Sequence, residues 1–80
     1  MREMEFKMEI RYDHIVPGAK VEVEESELQD GLVVYYTIIP AIAMSGNFRR
    51  QEALKNFKGE VTNVRDGDGG AYYVTVAFDE

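Results

Sequence analysis

The last part of the chain constrains the fold more than any other. Two runs rich in β-branched and aromatic residues, 60–65 and 71–78, flank the segment Asp66-Gly67-Asp68-Gly69-Gly70. Because Asp and Gly tolerate the positive φ angles of tight turns, this arrangement predicts a β-hairpin. The second run alternates, with Tyr72, Val74, Val76 and Phe78 on one side and Tyr73, Thr75, Ala77 and Asp79 on the other. One face of the hairpin must therefore pack on a core.

The segment between the two runs also has Asp at alternating positions, as at the start of a calcium-binding loop. An EF-hand loop would need an oxygen ligand at its fifth position, Gly at its sixth and Glu at its twelfth. Those positions are Gly70, Ala71 and Ala77 here. We therefore expect a turn and no metal site.

Three more runs have the pattern of strands. Residues 4–12 place apolar side chains at every second position and charged ones between them, which predicts a half-buried strand. Residues 20–25 follow Pro17-Gly18, a pair that favours a type II turn, and point Val21 and Val23 inward. Residues 32–39 are apolar on both faces, which predicts a central strand. Its inward set is expected to be Leu32, Val34, Tyr36 and Ile38, and its outward set Val33, Tyr35, Thr37 and Ile39.

A different composition follows Pro40, where strand pairing should stop because Pro has no N–H to donate. The pattern assigns no element to residues 41–44. Residues 48–58 are good helix formers and precede Gly59, a residue that commonly ends helices. This segment predicts one short helix.

The predicted order is therefore β-β-β-α-β-β in a single domain over residues 1–80. Short connections favour antiparallel neighbours, and five short twisted strands tend to curl into a small barrel. We expect a mostly β fold with one short helix, in the form of a five-stranded antiparallel SH3-like small open barrel. The alternative is an α+β antiparallel sheet with one covering helix.

Composition limits the compartment and the partners. The chain has 80 residues, no cysteine and a net charge of −6. Without Cys, neither disulfides nor a thiolate zinc site can compensate for the small size. No apolar stretch approaches the length of a membrane span, so we expect a soluble, cytoplasmic protein that does not bind a membrane. The negative charge opposes binding to duplex nucleic acid, although residues 31–64 hold four basic and two acidic residues.

The sequence contains no arrangement typical of an active site. His14 is the single histidine, and no nucleophile is accompanied by a recognisable base and orienting group. We expect a protein that is not an enzyme and that binds no cofactor and no metal.

The leading hypothesis is a non-catalytic binding module. Tyr35 and Tyr73 are expected to point outward from two strands, and Phe48, Arg49 and Arg50 would border them if the strands lie close together. Exposed aromatic residues beside Arg are typical of protein interfaces. The partner would be another protein or a second copy of the chain.

Two other functions use the same sequence features. Stacking of bases on the tyrosines beside Arg49, Arg50, Lys55 and Lys58 would give a single-stranded nucleic-acid binder. Glu22, Glu24 and Glu27 on one surface would instead suit an acidic inhibitor that imitates nucleic acid. A structural alternative is that the helix covers the outer tyrosines and makes them part of a second core.

Overall fold

The computed structural model describes residues 1–40 and 43–80, and within these ranges the chain is mostly β. The strands are β1 (Arg2–Met8), β2 (Lys20–Leu28), β3 (Val33–Ile39), β4 (Ala43–Ser45), β5 (Phe48–Arg49), β6 (Lys58–Asp66) and β7 (Tyr72–Phe78). Every pairing between them is antiparallel. The expectation of a small, mostly β, antiparallel fold is confirmed, although seven strands lie in the described ranges where five were predicted.

The seven strands form one sheet in the order β2-β6-β7-β1-β4-β3-β5. The nine-residue strand β2 pairs with two different neighbours. Its start, Lys20–Glu22, pairs with β6, and the part from Glu22 to Leu28 pairs with β3. The sheet therefore curls round on itself, because β2 at one end of this order also pairs with β3 near the other end.

The predicted hairpin is present as β6 and β7. Val61 pairs with Val76 and Asp66 with Tyr72, and the register shifts between Val61 and Asn63. Gly69 and Gly70 in the turn have φ of 70° and 80°. These are values that glycine adopts without steric cost, so the Asp-Gly segment serves as a turn.

Two further turns follow from glycine positions in the sequence. Gly18 has φ of 92°, and the Ala19 N–H donates to the Val16 carbonyl at 2.9 Å, which agrees with the predicted type II turn. Between β2 and β3, Asp30 and Gly31 have φ of 56° and 85°. The Leu32 N–H donates to the Gln29 carbonyl at 3.1 Å, so these four residues form a type I′ turn.

That turn corrects the start of the third predicted strand. Leu32 belongs to the turn and is 68% exposed, so its predicted inward position is wrong. The strand begins at Val33 and ends at Ile39, directly before Pro40 as expected. Of the unassigned segment 41–44, residues 41 and 42 lie outside the described residues, and Ala43 begins β4.

The first predicted strand is also too long at its C-terminal end. It ends at Met8, and Ile10 beyond it is 58% exposed. The reason is the length of its neighbour, because β1 pairs with β7 only as far as Met8 opposite Tyr72, where the hairpin turn begins.

The predicted helix over residues 48–58 is wrong. Phe48–Arg49 form β5, Arg50–Glu52 form a 3₁₀ turn, and β6 already begins at Lys58. An isolated helix of this length is marginally stable in water, so contacts with the rest of the fold decide the conformation. No α-helix occurs in residues 1–40 and 43–80, so the alternative of a sheet covered by one helix is also wrong.

The core lies between the inward faces of the curled sheet. The predicted inward residues of three strands are fully or almost fully buried: Met4, Phe6 and Met8 of β1, Val34, Tyr36 and Ile38 of β3, and Val74, Val76 and Phe78 of β7. The two-residue period of a strand explains this agreement. No helix in the described part of the chain is long and apolar enough to cross a membrane.

Candidate functional site

The outer side of β3 presents a row of four mainly apolar side chains. Val33, Tyr35 and Thr37 are half-buried and Ile39 is 44% exposed. The alternate residues of the strand point into the core. The row therefore faces away from the core, as the sequence predicted.

Neighbouring strands extend this row on both sides. Leu28 of β2 lies opposite Val33 and is 40% exposed, and Met44 of β4 lies opposite Thr37 and is 45% exposed. We call Leu28, Val33, Tyr35, Thr37, Ile39 and Met44 together the β3 face. The helix that could have covered it is replaced by β5 and a 3₁₀ turn. Contiguous exposed apolar surface of this kind marks interaction sites.

Charged residues border the β3 face on both of its long sides. Lys7 lies opposite Met44, and Lys58 lies opposite Glu22. Arg49 lies opposite Val33 on the β5 side. Glu24 lies opposite Thr37, and Glu22 opposite Ile39, on the β2 side. Within the described ranges the side chains of Arg49, Glu22 and Glu24 form no ion pair. Their charges are therefore available to a molecule that docks on the face.

Of the five residues predicted to bind, Tyr35 and Arg49 share this face. Phe48 lies opposite the buried Val34 and packs against the core, with its ring centre 6.2 Å from that of Tyr36. The Arg2 guanidinium lies over the Phe48 ring at 5.5 Å. Phe48 therefore points to the opposite side of the sheet from Tyr35.

Tyr73 lies on a different part of the sheet. Its strand, β7, is separated from β3 by β1 and β4 in one direction and by β6 and β2 in the other. The Arg65 guanidinium covers the Tyr73 ring at 4.5 Å from its centre. The structure therefore does not bring Tyr73 and Tyr35 together into one aromatic surface.

Arg50 is held by the protein itself. Its guanidinium lies 3.1 Å from Glu25 Oε1 and 2.7 Å from Glu27 Oε1, and its Nε donates to the Gly31 carbonyl at 2.8 Å. The hydrogen bond with Glu27 is the main cause that raises the pKa of Arg50. Glu27 therefore pairs with Arg50 at the inward register position opposite Val34, whereas Glu22 and Glu24 border the outer face.

The same network continues to a buried hydroxyl group. Tyr36 Oη accepts the Leu54 N–H at 2.7 Å and donates to Glu25 Oε2 at 2.8 Å. Burial of the side chain raises the pKa of Tyr36 to about 12. We call Glu25, Glu27, Tyr36, Arg50 and Leu54 the Tyr36 network. It satisfies polar groups at one end of the core, which is a structural task.

The Tyr36 network and two members of the β3 face were not predicted from the sequence. The sequence did contain one signal for the network. The two-residue period that points Val21 and Val23 inward also points Glu25 inward, and an inward carboxylate needs a polar partner. Leu28 and Met44 had no such signal. They join the face through cross-strand register, which the sequence of one strand does not contain.

A cleft of about 710 Å³ adjoins the β3 face at Ile39. Its walls include Val21, Ile39, Pro40, Lys58, Gly59 and Ala77, with His14 beside them. Lys20 and Glu60 on its border pair with each other. The cleft has the volume of a small-ligand pocket and offers apolar surface continuous with the face.

No group of three or more His, Cys, Asp or Glu side chains that could hold a metal ion occurs in the part of the chain that the structure describes. The His14 ring packs edge-on against Tyr12 with 5.6 Å between ring centres. No protein-family model matches this chain, and no curated protein or solved structure matches it either.

Proposed function

We propose that this chain is a non-catalytic binding module that engages a protein through the β3 face. The observation that carries the proposal is the row of outward side chains on β3, flanked by the exposed Leu28 and Met44. Apolar surface of this extent, left uncovered in the folded chain, gains free energy when a partner removes it from water.

The chemistry of the face favours a protein partner. It combines an aromatic residue and apolar side chains at its centre with Arg49 and two glutamates at its border, which is the usual arrangement of an interface core and rim. A strand of this length and its two neighbours span roughly 20 Å by 10 Å. A surface of that size suits the weaker, transient class of interface.

We propose an SH3-like open barrel as the scaffold of this module. The pairing of β2 with both β6 and β3 supports it, because that pairing curls the sheet into a ring. A cytoplasmic location is part of the same proposal, and the absence of cysteine agrees with a reducing compartment.

A single-stranded nucleic-acid site has less support from the geometry. Such a site would stack bases on Tyr35 and Tyr73 beside the basic residues Arg49, Arg50, Lys55 and Lys58. Tyr73 lies across the sheet under Arg65, and Arg50 is paired with Glu25 and Glu27. The protein-binding proposal needs only residues that share one face.

Site-specific photo-crosslinking tests the proposal. The photoreactive amino acid p-benzoylphenylalanine replaces Tyr35 in one version of the chain and Tyr73 in another, and both are irradiated in cells of the organism that carries the chain. We expect protein adducts at position 35 and few at position 73. Adducts of equal yield at both positions, or none at position 35, would overturn the proposal.

Two matched threonine variants show whether the β3 face is responsible. Thr37 and Thr75 are both half-buried residues in the middle of a strand, but only Thr37 belongs to the face. Thr37→Arg should abolish the adducts at position 35, because it places a charge in the middle of the apolar row. Thr75→Arg should leave them unchanged.

A further inference from the structure

We infer that the cleft at Ile39 is a binding site for a neutral small molecule with an apolar body. This inference goes beyond the proposed function, because it concerns a second surface and does not depend on a protein partner. It follows from the volume of the cleft, from the residues on its floor and from the charges on its rim.

Two rows of cross-strand neighbours on the outer side of the sheet line the cleft. The first row runs from β3 to β6 and consists of Ile39, Glu22 and Lys58. The second row runs from β2 to β7 and consists of Lys20, Glu60 and Ala77. Glu22 pairs with both β3 and β6. The cleft therefore lies where β2 changes its neighbour.

Two small residues form the floor of the cleft. Ala77 points to the outer side of the sheet, since Val76 and Phe78 on either side of it are fully buried in the core. Its methyl group is only 7% exposed, and β1 and β6 pair with β7 on its two sides. Gly59, which pairs with Phe78, contributes backbone alone. Small residues at these positions leave a depression that longer side chains would fill.

The size and shape of the cleft suit a small organic molecule. Its volume of about 710 Å³ lies within the usual range of ligand pockets. Ile39, which is 44% exposed, and Pro40 add apolar surface at one end. A concave apolar site encloses most of the surface of a small ligand and removes that surface from water. The expected ligand therefore has an apolar body.

The charges on the rim favour a neutral ligand. Four of the charged side chains form two cross-strand pairs of opposite sign: Lys20 with Glu60, and Lys58 with Glu22. A charged ligand of either sign would therefore meet a like charge in each pair. The other titratable side chains in the described lining are Asp79 and His14, so the rim has no excess of positive charge. The net charge of −6 further opposes an anion.

Two fluorescent dyes with the same aromatic skeleton test the inference. N-phenylnaphthylamine is neutral, whereas anilinonaphthalene sulfonate adds one negative charge, and both brighten in an apolar site. Each dye is kept at low concentration while the protein is added. We expect the neutral dye to bind with a dissociation constant below about 1 mM. The sulfonate should bind about fivefold more weakly, the effect of one like charge near a protein surface.

Two leucine variants show whether the cleft is responsible. Ala77 and Thr75 both point outward from β7, two positions apart, but only Ala77 lines the cleft. Ala77→Leu should weaken binding of the neutral dye about tenfold or more, because the larger side chain occupies the floor. Thr75→Leu should leave the binding unchanged. Amide NMR spectra show that both variants are folded.

Amide NMR of the unaltered chain also locates the neutral dye without any variant. Its addition should shift signals of Val21, Gly59 and Ala77. Shifts centred on Tyr35 would place the dye on the β3 face and overturn the inference. Absence of binding at about 1 mM protein, equal weakening by both leucine variants, or a sulfonate that binds as tightly as the neutral dye would also overturn it. The proposed function has a separate readout in the adducts at position 35, so either one can fail while the other stands.

Discussion

The buried hydroxyl of Tyr36 accepts the backbone N–H of Leu54 at 2.7 Å. This bond fastens the segment between the 3₁₀ turn and β6 to the middle of β3. The same hydroxyl donates to Glu25, which holds Arg50 at the start of that turn. Residues 50–54 are therefore held in place by contacts with β2 and β3. These contacts take the place of the hydrogen bonds that a helix would have formed.

Removal of this hydroxyl should destabilise the fold. We expect Tyr36→Phe to lower the free energy of unfolding by about 1–3 kcal/mol, because the Leu54 N–H and Glu25 lose a partner. Urea denaturation measures the change. Tyr72→Phe is the control, since no hydrogen bond of the Tyr72 hydroxyl is found among the described residues, and an equal loss in both variants would contradict the prediction.

The raised pKa of Tyr36 predicts a loss of stability in alkali. A group whose pKa is higher in the folded state contributes stability below its unfolded pKa and loses it as the pH rises through the folded value. For Tyr36 this window runs from 10.0 to about 12. The difference in unfolding free energy between the unaltered chain and Tyr36→Phe should shrink across that window, and a constant difference would show that the hydroxyl does not ionise there.

Two adjacent arginines should behave differently when replaced. Arg50→Gln loses contacts with Glu25, Glu27 and the Gly31 carbonyl. We expect it to lower the free energy of unfolding by more than Arg49→Gln does, although solvent screens these partly exposed contacts. Arg49→Gln should change it by less than about 0.5 kcal/mol, as exposed side chains without partners usually do. Thermal or urea denaturation of both variants gives the comparison.

A methyl group at Gly59 should not fit. A Cβ there would lie 2.7 Å from Val76 Cγ1 and 2.8 Å from the Ala77 carbonyl oxygen, and the backbone oxygen has no alternative rotamer. We expect Gly59→Ala to lower the free energy of unfolding by about 1–3 kcal/mol, the usual cost of overpacking. Gly46→Ala is the control, because a Cβ at Gly46 meets nothing within 4 Å. Equal stability of the two variants would refute the close approach.

Glu80 should contribute stability that disappears in acid. Its carboxylate accepts the Asn56 N–H at 2.9 Å and the Lys55 N–H at 2.8 Å, and these bonds, with Arg2, lower its pKa. A lowered folded pKa gives stability that is present above the unfolded value, 4.5, and is lost as the pH falls through the folded value. The stability difference between the unaltered chain and Glu80→Gln should therefore shrink below that pH, and a difference that grows in acid would contradict the assignment.

The sequence correctly predicted those elements whose conformation depends mainly on their own residues and immediate neighbours. The hairpin of β6 and β7 depends on a glycine-rich turn between alternating runs, and both features are visible in the chain. The inward positions of β3 and the outward position of Tyr35 follow from the two-residue period. The helix over residues 48–58 failed because helix propensity is a weak preference that tertiary contacts override.

Gly59 is a single residue whose role depends on tertiary contacts and not on its neighbours in the sequence. In the sequence it resembles a helix stop, whereas in the structure it lies inside β6 between Val21 and Phe78. The close approach of neighbouring strands requires the absence of a side chain there. Nothing in the flanking residues distinguishes these two uses of glycine.

The sequence by itself determined the strand periods, the turns at Gly18 and at Gly69-Gly70, and the side of β3 on which Tyr35 lies. Tertiary structure alone decided that Leu28, Met44 and Arg49 join Tyr35 on one face while Tyr73 lies across the sheet. The physical reason is that side-chain period and turn conformation are properties of neighbouring residues, whereas strand order and register depend on which distant strands bury each other's apolar faces.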